Sequence, residues 1–269
     1  MLKTKSLNFK VVKFINSHNV LRKMSIIIAA KGANSIYFAY DTAVNQYVFY
    51  FGDVLYNISG NSNKVRPVSR NITLGFAGYW NDDQIFERFS SRLNRSSLEE
   101  QVSVLKEVIK LQRLKELETI TRLFEMQGRE KTEIRKLNAL TAYLFGIVDG
   151  TELKLLSSGK GVQDAELYQV ENYGGIGSGM HEDVDVLLKN RYKTDMTDVG
   201  IKELLKNAVT KSEEISSERS GVNETIIKGF GLARLTKEGY EQLEFSPASL
   251  EDSPHSPLFN DLRLSGVIR

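Results

Sequence analysis

Short apolar runs separated by polar turns dominate the first third of the chain. Runs at 26–30 and 36–40 flank a Lys-Gly-Ala-Asn turn at 31–34, a pattern typical of a β-hairpin. The same alternation predicts a strand pair at 47–51 and 54–58 around Gly52-Asp53, and another strand at 72–77 after the Gly-Asn-Ser-Asn turn at 60–63. The chain therefore begins with a β-rich region.

The middle of the chain changes to a helical period. Asn81 followed by Gln84, and Ser97 followed by Glu100, are spaced as in capping boxes, so a helix is predicted after each. From Leu98 onward apolar residues recur every three or four positions, and Gln127-Gly128 is predicted to end this second helix. We interpret the apolar stripe as a core-facing side rather than a coiled-coil seam.

Strands and helices alternate once more before the C-terminus. Strands are predicted at 142–148 and 152–156 around an Asp149-Gly150 turn, and after a loop comes the glycine-rich run 174–179. Helices are predicted near 181–191 and 198–216, and the last strands at 225–234 and 240–245. Two sheets with helices outside would bury both sheets. The expected fold is thus α/β (α+β), a four-layer αββα sandwich over residues 25–245, followed by an irregular tail at 246–269.

Residues 1–24 differ from the rest in charge. They carry six basic side chains and no acidic one, whereas the remaining residues carry 30 basic and 34 acidic side chains. Neither an unbroken apolar stretch nor a cleavage site typical of a signal peptide is present. The segment is a propeptide, a basic arm, or an extension upstream of a true start at Met24.

Composition excludes several classes of function. The chain of 269 residues has no cysteine, so disulfides, thiolate metal sites and a cysteine nucleophile are excluded. No apolar run approaches the roughly 20 residues that cross a bilayer, and the mildly acidic body lacks the basic face of a nucleic-acid-binding protein. The three histidines lack metal-ligand spacing. We therefore expect no nucleic acid, membrane, metal or cofactor partner.

Four segments resemble proteasome β subunits and HslV, the bacterial peptidase that works with an ATP-driven unfoldase. The segment "SIIIAAKGANSIYFAYDT" is similar to the family's opening, with Ser25 at the nucleophile position and Asp41 at the acid position. In "NKVRPVSRNITLGFAG", Lys64 and Gly78 match the family's lysine and glycine. The segment "LTAYLFGIVDGTELKLLSSGKG" resembles its central hairpin, and "GGIGSGM" puts Ser178 at its conserved serine. The family's late motif is matched in part, since "SERSGV" puts Ser220 in its Ser-Gly pair.

The resemblance implies an N-terminal-nucleophile (Ntn) hydrolase. In that chemistry the α-amine of Ser25 takes the hydroxyl proton, Lys64 lowers the pKa values of the hydroxyl and the amine, and Asp41 holds the lysine. Ser178 and Ser220 would position the amine, and the Gly78 N–H would stabilise the oxyanion. The amine exists only if Ser25 is the first residue of the mature chain.

The chain departs from the family pattern in four places. The nucleophile is Ser rather than the usual Thr, and Met24 replaces the usual Gly before it. Ser217 stands where the family has an Asp, although Glu218 could replace it with a shift of one residue. The region at 95–140 is also longer than the family norm.

The resemblance implies a cytoplasmic peptidase that assembles into a homo-oligomeric ring and cleaves protein or peptide substrates, with a possible ATP-dependent unfoldase as partner. Two alternatives stay open. One is a non-catalytic structural subunit of the same fold, and the other is an Ntn amidohydrolase or transferase with a specialised substrate.

Overall fold

A computed structural model describes residues 25–50, 53–78, 82–93, 97–126, 141–158, 166–220 and 229–247. In these residues the elements alternate as the hydrophobic pattern predicts: strands, two helices, strands, two helices, strands. The helices are α1 (Asp82–Leu93), α2 (Leu98–Met126), α3 (Glu182–Arg191) and α4 (Asp198–Ser220). The first strands are β1 (Ile27–Lys31), β2 (Ile36–Asp41), β3 (Ala43–Tyr50), β4 (Asp53–Asn61), β5 (Val65–Ser69) and β6 (Ile72–Ala77). The later ones are β7 (Ala142–Asp149), β8 (Glu152–Ser158), β9 (Leu167–Val170), β10 (Tyr173–Ile176), β11 (Phe230–Thr236) and β12 (Gly239–Phe245).

Two antiparallel five-stranded sheets form the framework. The first sheet has the strand order β10-β1-β2-β11-β12, and the second has the order β5-β6-β7-β8-β9. Strands β3 and β4 form a separate antiparallel pair. The α+β class is thereby confirmed.

Three buried clusters divide the apolar core. Strand β1 contributes to two of these clusters, because neighbouring side chains on a strand point to opposite faces of the sheet. Ile28 and Ala30 pack with Val184 of α3 and Leu205 of α4. Ile27 and Ala29 pack with side chains of the second sheet, among them Leu144 and Leu155. The third cluster joins the second sheet to α1 and α2 through Phe145, Phe89 and Ile109.

The predicted start of α2 is confirmed in detail. The backbone N–H of Glu100 donates to Ser97 Oγ at 3.3 Å, and the backbone N–H of Ser97 donates to Glu100 Oε2 at 2.9 Å. These reciprocal bonds are a capping box, which satisfies two N–H groups that a helix start leaves unpaired. Asn81, predicted to begin the preceding helix, lies outside the described residues.

Several element boundaries differ from the sequence prediction. The structure has a strand, β10, that covers the start of the glycine-rich run, for which no strand was predicted. This strand pairs with β1 along its whole length, and side chains on Gly174 and Gly175 would press against Val170 and Met180. Strands β5 and β9 were also not predicted, α4 continues to Ser220, and the described part of the last strand pair begins at Phe230.

None of the helices in the described part of the chain combines the length and apolar character needed to cross a membrane.

Candidate active site

Ser25 lies immediately before β1 and is half-buried. Its carbonyl oxygen accepts a hydrogen bond from the backbone N–H of Gly179, at 3.0 Å. Gly177 in the same turn has φ of 99°, and a Cβ there would overlap the Ser25 carbonyl. The turn after β10 therefore packs its backbone directly against Ser25, and only glycine at 177 allows this approach.

Asp41 is the last residue of β2 and is 1% exposed. The pairing of β1 with β2 sets Ile27 opposite Tyr40, so Asp41 follows in register opposite Ile26. Its Oδ1 accepts the backbone N–H of Ile26 at 2.6 Å, and its own N–H donates to the Ile26 carbonyl at 3.2 Å. The β-hairpin thus fixes the carboxylate beside the residue that follows Ser25.

Lys64 reaches this point from the second sheet. It precedes β5, and its carbonyl accepts the N–H of Phe76 on β6 at 3.2 Å. Its Nζ donates to Asp41 Oδ2 at 2.7 Å and to Ser25 Oγ at 3.2 Å. The side chains of Lys64 and Asp41 are 6% and 1% exposed, so the ion pair is shielded from water.

This geometry restricts what each group can do. Because the Lys64 ammonium donates to Ser25 Oγ, it is placed to stabilise negative charge on that oxygen. Among the described side chains, no carboxylate or imidazole forms a hydrogen bond with Ser25 Oγ.

Gly78 follows β6 and is exposed. A Cβ on Gly177 would lie 3.2 Å from the Cβ of Ala77, so the end of β6 adjoins the turn that holds Ser25. A Cβ on Gly78 itself would lie 2.7 Å from the Cα of Thr141. The backbone of Gly78 thus sits close to both Thr141 and the Ser25 turn.

A buried carboxyl supports Thr141 from the helix side. Glu116 of α2 is 1% exposed, and its Oε2 accepts the backbone N–H of Thr141 at 3.0 Å. Its Oε1 accepts a bond from the side-chain amide of Gln112 at 3.2 Å. Burial raises the pKa of Glu116, and the bonds from Thr141 and Gln112 oppose that rise.

The two remaining candidates are placed less directly. Ser178 lies in the turn after β10, but it is exposed, and no hydrogen bond joins its side chain to Ser25 in the described residues. Ser220 is the last residue of α4, and its side chain lies outside the part of the chain that the structure describes, as do residues 1–24. The structure therefore brings Ser25, Asp41 and Lys64 together, with Gly78 nearby.

Sequence reasoning missed the pair that anchors the turn. Ser212 of α4 is 2% exposed, and its Oγ donates to the carbonyl of Gly179 at 2.8 Å. The Gly179 N–H in turn holds the Ser25 carbonyl. A signal was present, because Ser212 continues the buried side of α4 four residues after Ala208 and seven after Leu205. A lone serine on an apolar helix face indicates a buried partner.

The described residues contain no group of three or more histidine, aspartate or glutamate side chains able to hold a metal ion. Comparison with models of protein families and with curated proteins found no match for this chain.

Proposed function

We propose that this chain is a serine-type N-terminal-nucleophile peptidase of the proteasome and HslV kind, with the four-layer αββα fold of that group. The observation that carries the proposal is the contact of Lys64 Nζ with both Asp41 Oδ2 and Ser25 Oγ. The three buried clusters support this fold. One lies between α3, α4 and the first sheet, the next between the two sheets, and the third between the second sheet and α1 with α2.

The proposed reaction is acyl transfer to Ser25. Its Oγ attacks the substrate carbonyl while the hydroxyl proton moves to the α-amine of the same residue. Lys64 stabilises the charge on Oγ, and the N–H of Gly78 donates to the oxyanion of the tetrahedral intermediate. When the C–N bond breaks, the leaving amine takes the proton from the α-ammonium. Water then attacks the ester with the amine again as base, which releases the acid and restores Ser25.

A free amine on Ser25 is required for this reaction. With Met24 attached, the nitrogen is an amide and cannot accept a proton. We therefore expect peptide hydrolysis only from chains that begin at Ser25, after removal of residues 1–24. Activity should rise with pH around neutrality as the amine loses its proton, since the charge of Lys64 lowers the pKa of that amine.

The test compares the full-length chain with a chain that begins at Ser25, using intact-mass measurement to verify each N-terminus and a panel of fluorogenic peptides to measure hydrolysis. A preparation that retains residue 24 in every molecule and still cleaves peptides through Ser25 would refute the amine-base mechanism. Both chains should melt at similar temperatures, which separates loss of the base from loss of the fold.

A ring assembly is part of the proposal. A ring of the proteasome kind encloses the active sites in a chamber. The full chain has a mass of 30.4 kDa. Light scattering coupled to gel filtration should therefore give a mass several times that of one subunit, and added unfoldase should be needed only for folded substrates. A uniformly monomeric active protein would exclude the ring and leave the hydrolase.

A further inference from the structure

Four polar side chains form a hydrogen-bonded cluster next to Lys64. They come from β2, from the segment before β5, and from β12, which is the edge strand of the first sheet. We name them the Gln242 cluster: Tyr40, Asn63, Tyr240 and Gln242. Tyr40 immediately precedes Asp41, and Asn63 immediately precedes Lys64.

Gln242 has a fixed orientation in this cluster. Its Nε2 donates to the carbonyls of Leu232 and Glu244, at 2.8 and 2.7 Å. Because both donors are used on the backbone of the first sheet, Oε1 must point into the cluster. There it accepts the side-chain amide of Asn63 at 2.9 Å.

Asn63 is held from three sides. Its Nδ2 binds Gln242, and its Oδ1 accepts the hydroxyl of Tyr40 at 2.6 Å and the backbone N–H of Val65 at 3.2 Å. The residues that precede the acid and the lysine of the site are thus bonded to each other. This bond ties the end of β2 to the segment that carries Lys64.

Tyr240 holds the other side of Lys64. Its hydroxyl lies 2.8 Å from the carbonyl of Val65 and 2.5 Å from Gln242 Oε1. A hydroxyl has one proton, so it donates one of these bonds at a time. Burial raises the pKa of Tyr240 and that of Tyr40, and both hydroxyls therefore remain donors throughout the working pH range.

The ring of Tyr40 reaches the cluster because position 231 on the neighbouring strand is glycine. A Cβ on Gly231 would overlap the Tyr40 ring. Gly231 pairs directly with Tyr40 in the first sheet. The ring can therefore lie across the backbone of β11 and present its hydroxyl to Asn63 and Gln242, the latter at 3.1 Å.

We propose that Gln242 and Tyr240 are positioning residues that set the place of Lys64 Nζ between Asp41 and Ser25. They do so by fixing Asn63 and the Val65 carbonyl on either side of Lys64. This inference rests on the proposed function, since Lys64 must be placed accurately only if it acts on Ser25.

Three variants test it in protein that is verified by intact mass to begin at Ser25. Gln242→Met keeps the approximate length of the side chain but removes its polar atoms, and Tyr240→Phe removes one hydroxyl. Tyr192→Phe is the matched control, because the Tyr192 hydroxyl donates to the carbonyl of Lys31 at 2.9 Å on the other face of the first sheet.

We expect Gln242→Met to lower kcat about 10- to 100-fold with little change in KM, since misplacement by about 1 Å can cost this much. Tyr240→Phe should have a smaller effect of the same kind. In both, the rising limb of the pH–rate profile should move to higher pH, because a displaced Lys64 lowers the pKa of the amine less. Tyr192→Phe should lower the melting temperature as much as Tyr240→Phe and leave kcat and the pH profile unchanged.

A readout independent of activity separates this inference from the proposed function. The readout is the NMR signal of the Lys64 ε-carbon in protein labelled with 13C at the lysine ε-carbons. The Lys64 signal is assigned as the one that disappears in Lys64→Arg. Gln242→Met should shift this signal, and Tyr192→Phe should leave it unchanged. If this shift occurs in a protein whose Ser25 never acylates, the positioning stands and the proposed function fails. If hydrolysis depends on Ser25 but Gln242→Met changes neither kcat nor the Lys64 signal, the positioning role is overturned. Equal kinetic losses in Tyr192→Phe and Tyr240→Phe would overturn it too, since they would indicate stability alone.

Discussion

Replacing Lys64 with methionine is expected to lower kcat/KM by at least about 10²- to 10³-fold, comparable to the loss of one preorganised donor in other hydrolases. The variant removes the ammonium that contacts Ser25 Oγ at 3.2 Å. Within the described residues, it also leaves the buried Asp41 carboxylate with a single hydrogen-bond donor, the backbone N–H of Ile26. Removing one member of a buried pair costs about 3–5 kcal/mol, so the free energy of unfolding should fall as well.

A double variant separates the two losses. Lys64→Met combined with Asp41→Leu replaces both charges by apolar side chains, which is often neutral for stability. Denaturant unfolding should therefore show recovery of much of the lost free energy of unfolding, while peptide hydrolysis stays absent. Lys154→Met is the control, since Lys154 forms its salt bridges with Asp149 and Glu152 at the surface. Recovery of activity along with stability in the double variant would show that Lys64 has only a structural role.

Replacing Ser25 with alanine is expected to abolish hydrolysis without weakening the fold. The hydroxyl is the proposed nucleophile, and losing a nucleophile removes nearly all covalent catalysis. For the fold the change is small, because the contacts of Ser25 with Gly179 are made by its backbone carbonyl and Lys64 keeps its bond to Asp41. Peptide turnover and thermal unfolding, measured on chains that begin at residue 25, check both parts.

Ser25→Thr is the informative companion to this variant. It keeps a hydroxyl at the same position and should keep measurable activity, whereas Ser90→Ala on α1 should change nothing in turnover. The Ser90 hydroxyl donates to the carbonyl of Phe86, one helical turn away on the same helix. If Ser25→Ala hydrolyses peptides at the wild-type rate, Ser25 is excluded as the nucleophile and the function proposed for this site fails.

The sequence predicted those parts of the fold that depend on local signals. The β1–β2 hairpin has two apolar runs and one turn, and α2 has a capping box and a long periodic stripe. Strands β9 and β10 were missed because each has only four residues. In addition, β10 pairs with β1, which is about 145 residues away in the chain. Strand β5 contains Pro67, which weakens a strand signal.

Some residues of the candidate site could likewise be predicted from the sequence, and others could not. Ser25, Asp41 and Lys64 were singled out by resemblance, and their approach follows from the β1–β2 register and the position of β5 at the edge of the second sheet. The roles proposed for them, and for Gly78, Ser178 and Ser220, stay predictions. Ser212 and Gln242 were missed because each acts on a segment more than 30 residues away in the chain, through contacts that no local pattern encodes.

The backbone on the C-terminal side of Ser25 is already anchored in the uncut chain. Gly179 holds the carbonyl of Ser25, and Asp41 holds the N–H of Ile26. Neither contact uses the nitrogen of Ser25. In the proposed maturation, scission of the peptide bond before Ser25 would expose an amine beside groups that these two contacts already hold in place. Maturation would then be a chemical event without a slow conformational phase, and catalysis would begin without a lag once the precursor is cut.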